Sequence, residues 1–186
     1  MPLRPARTCR EIKKPAWTRF SKKNPRKSYV KAMPHNALQV TAMGDPNKYY
    51  DRRVDLVAIE DVQARDNALE ACRQAANKYL ERELSGNYFL FIRIFPHHII
   101  REVKMIFGAG ADRLQKGMKH AWGKPSDRAA RIYKGTIIFS IYIKKENLHH
   151  ALEACRRAKS KLPGKYKTVV VEEERGIKQS EEYEEI

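Results

Sequence analysis

The sequence predicts an α+β fold: two helices on a mixed β-sheet in a sandwich, with a basic N-terminal extension and a long internal loop. Three observations carry this. Two segments have a helical apolar period, Asn67 to about Leu84 and Asn147 to Lys161. Each lies between runs of strand character. A glycine-rich basic stretch, Gly108 to Pro125, interrupts the apolar chain between Ile99–Phe107 and Ile132–Ile143. The boundaries that follow are an arm over 1–31, a domain over 32–171 with an internal loop at 106–128, and an acidic tail over 172–186.

Met1 to Lys31 has prolines at 2, 5, 15 and 25 and no sustained period. Such a segment buries too little apolar surface to offset its ordering entropy. Pro34 to Met43 is expected as a first strand, with Leu38, Val40 and Ala42 on one face. Gly44-Asp45-Pro46-Asn47 is turn chemistry. Val54 to Glu60 is a strand. Asn67 and Glu70 are spaced as a capping pair for the first helix, whose apolar face holds Leu69, Cys72, Ala76, Tyr79 and Leu80. Gly86 stops it. Tyr88 to Phe95 is a near-continuous apolar run, as in a central strand buried on both faces. Pro96-His97-His98 turns the chain into a strand over Ile99 to Met105. Beyond the loop come a short strand at Ala129 to Tyr133, a break at Gly135 and a long strand at Thr136 to Ile143. The second helix has Leu148, Ala151, Leu152, Cys155 and Leu162 on its apolar side, and Pro163-Gly164 ends it. Thr168 to Val171 is the last strand. The eight residues from Ala68 match those from Ala151 at all but one position. Similar packing demand on two helices accounts for that, since the flanking strands do not match.

Charge narrows the function. The 186 residues carry a formal net +16, which favours nucleic acid or an anionic surface as partner. Residues 1–31 hold eleven Lys or Arg against Glu11, a net +10; residues 172–186 are net −5. Arg4, Arg7, Arg10, Lys13, Lys14, Arg19, Lys22, Lys23, Arg26 and Lys27 suit RNA phosphates, and Trp17 suits stacking. Arg156, Arg157 and Lys159 add cations on the second helix. In the loop, glycines such as Gly110 let backbone approach a phosphate. Arg113 can fork two phosphate oxygens, while Lys116, Lys119 and Lys124 act as point charges. Trp122 either stacks on a base or pins the loop to the domain.

No catalytic constellation is visible. Gly108-Ala109-Gly110 fails the dinucleotide pattern because position 113 is Arg, and there is no G-x-x-x-x-G-K-[ST]. His97-His98 and His149-His150 are adjacent pairs, not the i, i+4 pairs of a helical zinc site. Asp112 has no neighbouring carboxylate for acid–base work. Cys9, Cys72 and Cys155 lack metal spacing and an even count, which fits a reduced compartment; Cys72 and Cys155 read as buried packing. No apolar run approaches the ~20 residues of a membrane span, and the N-terminus lacks the apolar core of a signal peptide. The expectation is no enzyme, cofactor or metal.

The stretch Ala109 to Met118, with Trp122-Gly123-Lys124-Pro125, resembles the signature of a universal large-subunit ribosomal protein family. It is called L-sixteen in bacteria and L-ten-e, or the QM protein, in archaea and eukaryotes. Arg4-Pro5-Ala6-Arg7, Cys9-Arg10, Ala75-Ala76-Asn77-Lys78-Tyr79 and Arg156-Arg157-Ala158-Lys159 are similar to the archaeal and eukaryotic branch. Thr8 stands where that branch has its cysteine, and the acidic tail lies outside the motif. The resemblance implies an α/β hammerhead-type fold and a structural role in the large subunit, on the ribosome in the cytoplasm. It implies as partners large-subunit rRNA, tRNA and neighbouring ribosomal proteins, with no membrane and no homo-oligomer. The loop would reach toward tRNA and the peptidyl-transferase region. The alternatives are an RNA-modifying or processing enzyme and a free nucleic-acid-binding regulator.

Overall fold

A computed structural model describes residues 4–12, 33–103, 108–109 and 123–175. The elements run β1 (Ala42–Gly44), β2 (Tyr50–Ala58), β3 (Val62–Arg65), α1 (Asp66–Leu84), β4 (Phe89–Ile92), β5 (His98–Glu102), β6 (Lys124–Ile132), β7 (Ile137–Ile143), α2 (Leu148–Lys159) and β8 (Tyr166–Arg175). They form two sheets, one of five strands ordered β1-β4-β7-β2-β8 and one of three ordered β3-β6-β5. The α+β expectation holds, and every described pairing is antiparallel. α1 packs on α2 and also touches β3 and β6, whereas α2 lies on β2, β7 and β8.

The helices follow from composition and termini. α1 is rich in Ala, Leu, Glu and Arg and free of β-branched residues. It ends where Ser85 takes the left-handed conformation (φ 43°, ψ 52°) and its N–H donates to the Glu81 carbonyl. α2 carries Arg156, Arg157 and Lys159 in its last turn, where cations offset the helix dipole. One core joins Val54, Leu56, Leu90, Phe139 and Ile141 from the large sheet to Leu69, Cys72, Ala76 and Leu80 of α1. Ala151, Ala154, Cys155 and Ala158 of α2 complete it. Across the sheet, Tyr50, Phe89 and Tyr142 form a second aromatic cluster. Buried Asp55 is sustained by partners: it accepts from Ser140 Oγ at 2.5 Å and from Arg53 Nε at 3.0 Å.

Several sequence expectations shift. The first strand is short because the Asn36 amide binds both the N–H and the carbonyl of Leu38, bending the chain out of a ladder; Leu38 is buried and Val40 is exposed. The Asn67–Glu70 capping pair does not form. The Asp66 carboxylate accepts from the N–H groups of Asn67 and Ala37, and Glu70 is taken by Arg73 and Gln74. The strand expected in the centre, β4, lies second from the edge, and β7 holds the centre. Leu152 is exposed, because the buried face of α2 runs through 151, 154, 155 and 158. β6 begins at Lys124, so ladder structure starts before the loop boundary placed at 128. β8 runs past Val171 into the acidic stretch, where Glu172 and Glu173 reach Arg52 and Arg53 of β2.

Candidate nucleic-acid interface

The three-stranded sheet is where the basic segments meet the fold. Its middle strand, β6, pairs with β3 on one side and β5 on the other. β5 and β6 are the two strands flanking the glycine-rich stretch, and their last rungs are Arg101 opposite Pro125 and Glu102 opposite Lys124. Gly123 returns the chain to β6 with φ +73°, and a Cβ there would sit 3.1 Å from the Glu102 carbonyl carbon. Positive φ and close backbone approach together demand glycine at this neck.

The N-terminal residues dock on the same sheet. The backbone N–H of Gln63 in β3 donates to the Arg10 carbonyl at 2.7 Å, and its side-chain amide donates to the Cys9 carbonyl at 2.8 Å. Residues 9–10 therefore occupy the outer edge of β3, which would otherwise expose unpaired backbone groups. Arg10 lies 3.8 Å from Glu60, and Arg4 pairs with Glu102 at the loop neck. On the other flank of residues 13–32, Arg128 of β6 donates Nε to the Pro34 carbonyl at 2.7 Å. Both flanks of that basic segment are thus held on the small sheet, beside both flanks of the glycine-rich one.

Cations of the sheet itself enlarge this surface. Arg131 on β6 reaches His98 on β5 at 3.4 Å. Burial, and then the Arg131 and Arg101 guanidiniums, push the His98 imidazole down to about 4, so it is neutral at physiological pH. Arg101, Arg128 and Arg131 do not stand out in the sequence alone. Their one signal is cations recurring along a stretch that reads as loop or as a short strand.

Of the residues singled out in the sequence, Arg4, Arg7, Arg10 and Lys124 are exposed on or beside this sheet; Arg7 sits in the short 3-10 turn Ala6–Thr8. Lys13, Lys14, Trp17, Arg19, Lys22, Lys23, Arg26 and Lys27 lie outside the described residues. So do Gly110, Arg113, Lys116, Lys119 and Trp122. Arg156, Arg157 and Lys159 belong to α2 and are not part of the small sheet. Arg156 and Arg157 both donate to Glu153, at 2.6 and 2.7 Å, and hold its carboxyl down to about 2. Among the described residues no group of three or more His, Cys, Asp or Glu could hold a metal ion, and no helix is long and apolar enough to cross a membrane.

A family model described as ribosomal protein L16p/L10e matches residues 13–169. The chain belongs to this family. It is 49% identical over 164 residues to the large ribosomal subunit protein uL16 of Staphylothermus marinus, covering 88% of this chain and 90% of that one. It is 47% identical to the protein of the same description from Archaeoglobus fulgidus, over 85% of this chain and 92% of the relative. With that from Methanococcus maripaludis it shares 41% identity over 96% and 99% of the two chains. The resemblance seen in the sequence is therefore correct, including its archaeal side. An L16p/L10e chain is a ribosomal protein, not an enzyme. In this L16p/L10e fold the helices and the large sheet supply most of the core, and the small sheet adds its apolar half and carries the flanks of the most basic stretches.

Proposed function

We propose that this protein is a structural constituent of the large ribosomal subunit that binds rRNA through its N-terminal stretch and helps position tRNA through its central loop. The observation that carries this reading is the shared mounting of both basic stretches on β3, β6 and β5. Residues 13–32, whose flanks are held there, contain Lys13, Lys14, Arg19, Lys22, Lys23, Arg26 and Lys27, and 110–122 contain Arg113, Lys116 and Lys119. Phosphate neutralisation by such cations fixes a protein on RNA without reading sequence. The names borne by the relatives support a place in the large subunit, with rRNA and neighbouring ribosomal proteins as partners. The loop is assigned to the tRNA side of the peptidyl-transferase region, and the protein to cytoplasmic ribosomes as a single copy. Sedimentation tests the assignment: tagged protein should stay with large subunits through a high-salt sucrose gradient. Recovery only in the free-protein fraction would refute it.

A further inference from the structure

The helix layer carries a site that the small sheet does not explain. Along the seam of α1 and α2 runs an open groove of about 510 Å³, lined by Ala75, Lys78, Tyr79, Glu81, Arg82 and Arg157. That volume lies within the roughly 300–1,000 Å³ of small-ligand clefts. Tyr79 is its aromatic lining. The Arg157 guanidinium sits 4.2 Å from the Tyr79 ring centroid and that of Arg82 lies 5.6 Å from it. The Tyr79 hydroxyl is 3.2 Å from His150 Nδ1, which fixes the ring from the α2 side.

The acids nearby decide what the groove can hold. Glu83 takes Arg82 through Nε at 2.9 Å and a terminal nitrogen at 2.6 Å. Glu153 takes Arg157 at 2.7 Å, and Glu81 accepts the Tyr88 hydroxyl at 2.7 Å. Each guanidinium is thus paired at its edge and held in place, and Arg157 also lies over the Tyr79 ring, so a base would stack on the exposed side of this pair and on Arg82. A phosphate gains little from such a pair. A nucleobase gains a preformed platform, because unpaired RNA bases stack on aromatic rings and on guanidinium planes alike. Arg82 and Arg157 remain accessible, with side chains 66% and 42% exposed.

We propose that the α1–α2 groove is a stacking site for one unpaired RNA base, formed by Tyr79, Arg82 and Arg157, with Lys78 at its mouth. This rests on the rRNA-binding reading and adds a second point of attachment on another layer of the fold. It also gives Arg157 a role by its plane rather than by its charge.

The test separates plane from charge. Full-length protein is titrated with transcribed large-subunit rRNA over a range of salt. Arg82→Lys and Arg157→Lys keep the charge and remove the plane; Tyr79→Leu keeps apolar volume and removes the ring. Each should weaken binding about tenfold, as loss of one base stack does, while the slope of log affinity against log salt stays at the wild-type value. Arg82→Lys is exposed enough to carry the test even if Tyr79→Leu unfolds. Unchanged affinity in the lysine variants overturns the proposal. A slope reduced by the equivalent of about one neutralised phosphate overturns it too, by making the groove a charge site. Unchanged rRNA affinity together with loss of a neighbouring protein from assembled subunits would make the groove a protein seat, also against it. If wild-type protein does not bind the rRNA at all, the underlying rRNA reading has failed instead.

Discussion

β7 and β6 each hold the middle of a sheet, and they are opposites. β7 reads Ile-Ile-Phe-Ser-Ile-Tyr-Ile and buries every residue after its first. β6 reads Lys-Pro-Ser-Asp-Arg-Ala-Ala-Arg-Ile and buries only Ala129, Ala130 and Ile132. The first is covered by a helix on one face and an aromatic cluster on the other. The second is a framework whose apolar half joins the core through Val62, Ala64, Ala130 and Ile132. Its other positions include Lys124, Arg128 and Arg131, with Asp127 the one acid, and it is the root of the basic segments. Burial near β7 supplies free energy in proportion to apolar area. Charges near β6 supply little, because exposed ion pairs such as Arg4–Glu102 are screened by solvent. On the proposed reading, most of the stability lies with the large sheet and the rRNA-binding segments are rooted on the small one.

The largest expected effect comes from the basic segment between Arg10 and Pro34. Replacing Lys13, Lys14, Arg19, Lys22, Lys23, Arg26 and Lys27 with Gln should lower affinity for large-subunit rRNA by about 10³-fold or more. It should also flatten the salt dependence by roughly 0.7–0.9 in log–log slope for each phosphate no longer neutralised. The unfolding midpoint should not move. An unchanged slope would remove this segment from the interface. Removing the whole N-terminus is a poorer test, because residues 9–10 cover the edge of β3.

The converse substitution is Ile141→Ala in the centre of the large sheet. Ile141 is fully buried, and a large-to-small change there costs about 2–5 kcal/mol of folding stability. Below its lowered melting temperature the variant should bind rRNA with the wild-type salt slope. A change in slope without loss of stability would show that the two sheets are not separable in this way.

The cysteines sharpen the same contrast more gently. Burial pushes the Cys155 thiol up to about 12, and burial with nearby Cys155 raises that of Cys72. Their folded pKa values lie above the unfolded value near 8.5. Their contribution to stability is therefore complete below that pH and is lost as pH rises through the alkaline range toward 12. Native protein at neutral pH should label slowly at both thiols with a maleimide, and rapidly once denatured. Fast native labelling at both would contradict the packing of α1 on α2.

What the sequence disclosed follows physical reach. Periodicity found both helices and most strands, because burial imposes it directly. Glycine and proline placed the stops. The acidic stretch hid the end of β8, since Glu172 and Glu173 satisfy Arg52 and Arg53 across the ladder, a pairing with a distant strand. The capping pair failed because Asp66 lies one residue nearer and Arg73 competes for Glu70. Among the site residues, Arg4, Arg10 and Lys124 stood out by local charge density. Their convergence on one sheet did not, because it depends on Gln63, Glu102 and Arg128, which look ordinary in the chain. Tyr79 appeared only as a core position, since its stacking partner Arg157 belongs to the other helix.

The division between sheets is tested most directly with Arg113, Lys116 and Lys119 together replaced by Ala. Thermal unfolding of the free protein should shift by no more than about 0.5 kcal/mol in stability, the range of substitutions that break no packed feature. Large subunits purified at full occupancy of this variant are then assayed for tRNA binding and peptide synthesis. The expected result is full incorporation with a clear deficit in both assays. Wild-type values in both would contradict the assignment and leave the protein an rRNA scaffold alone, and failure to incorporate would make the loop an anchor instead.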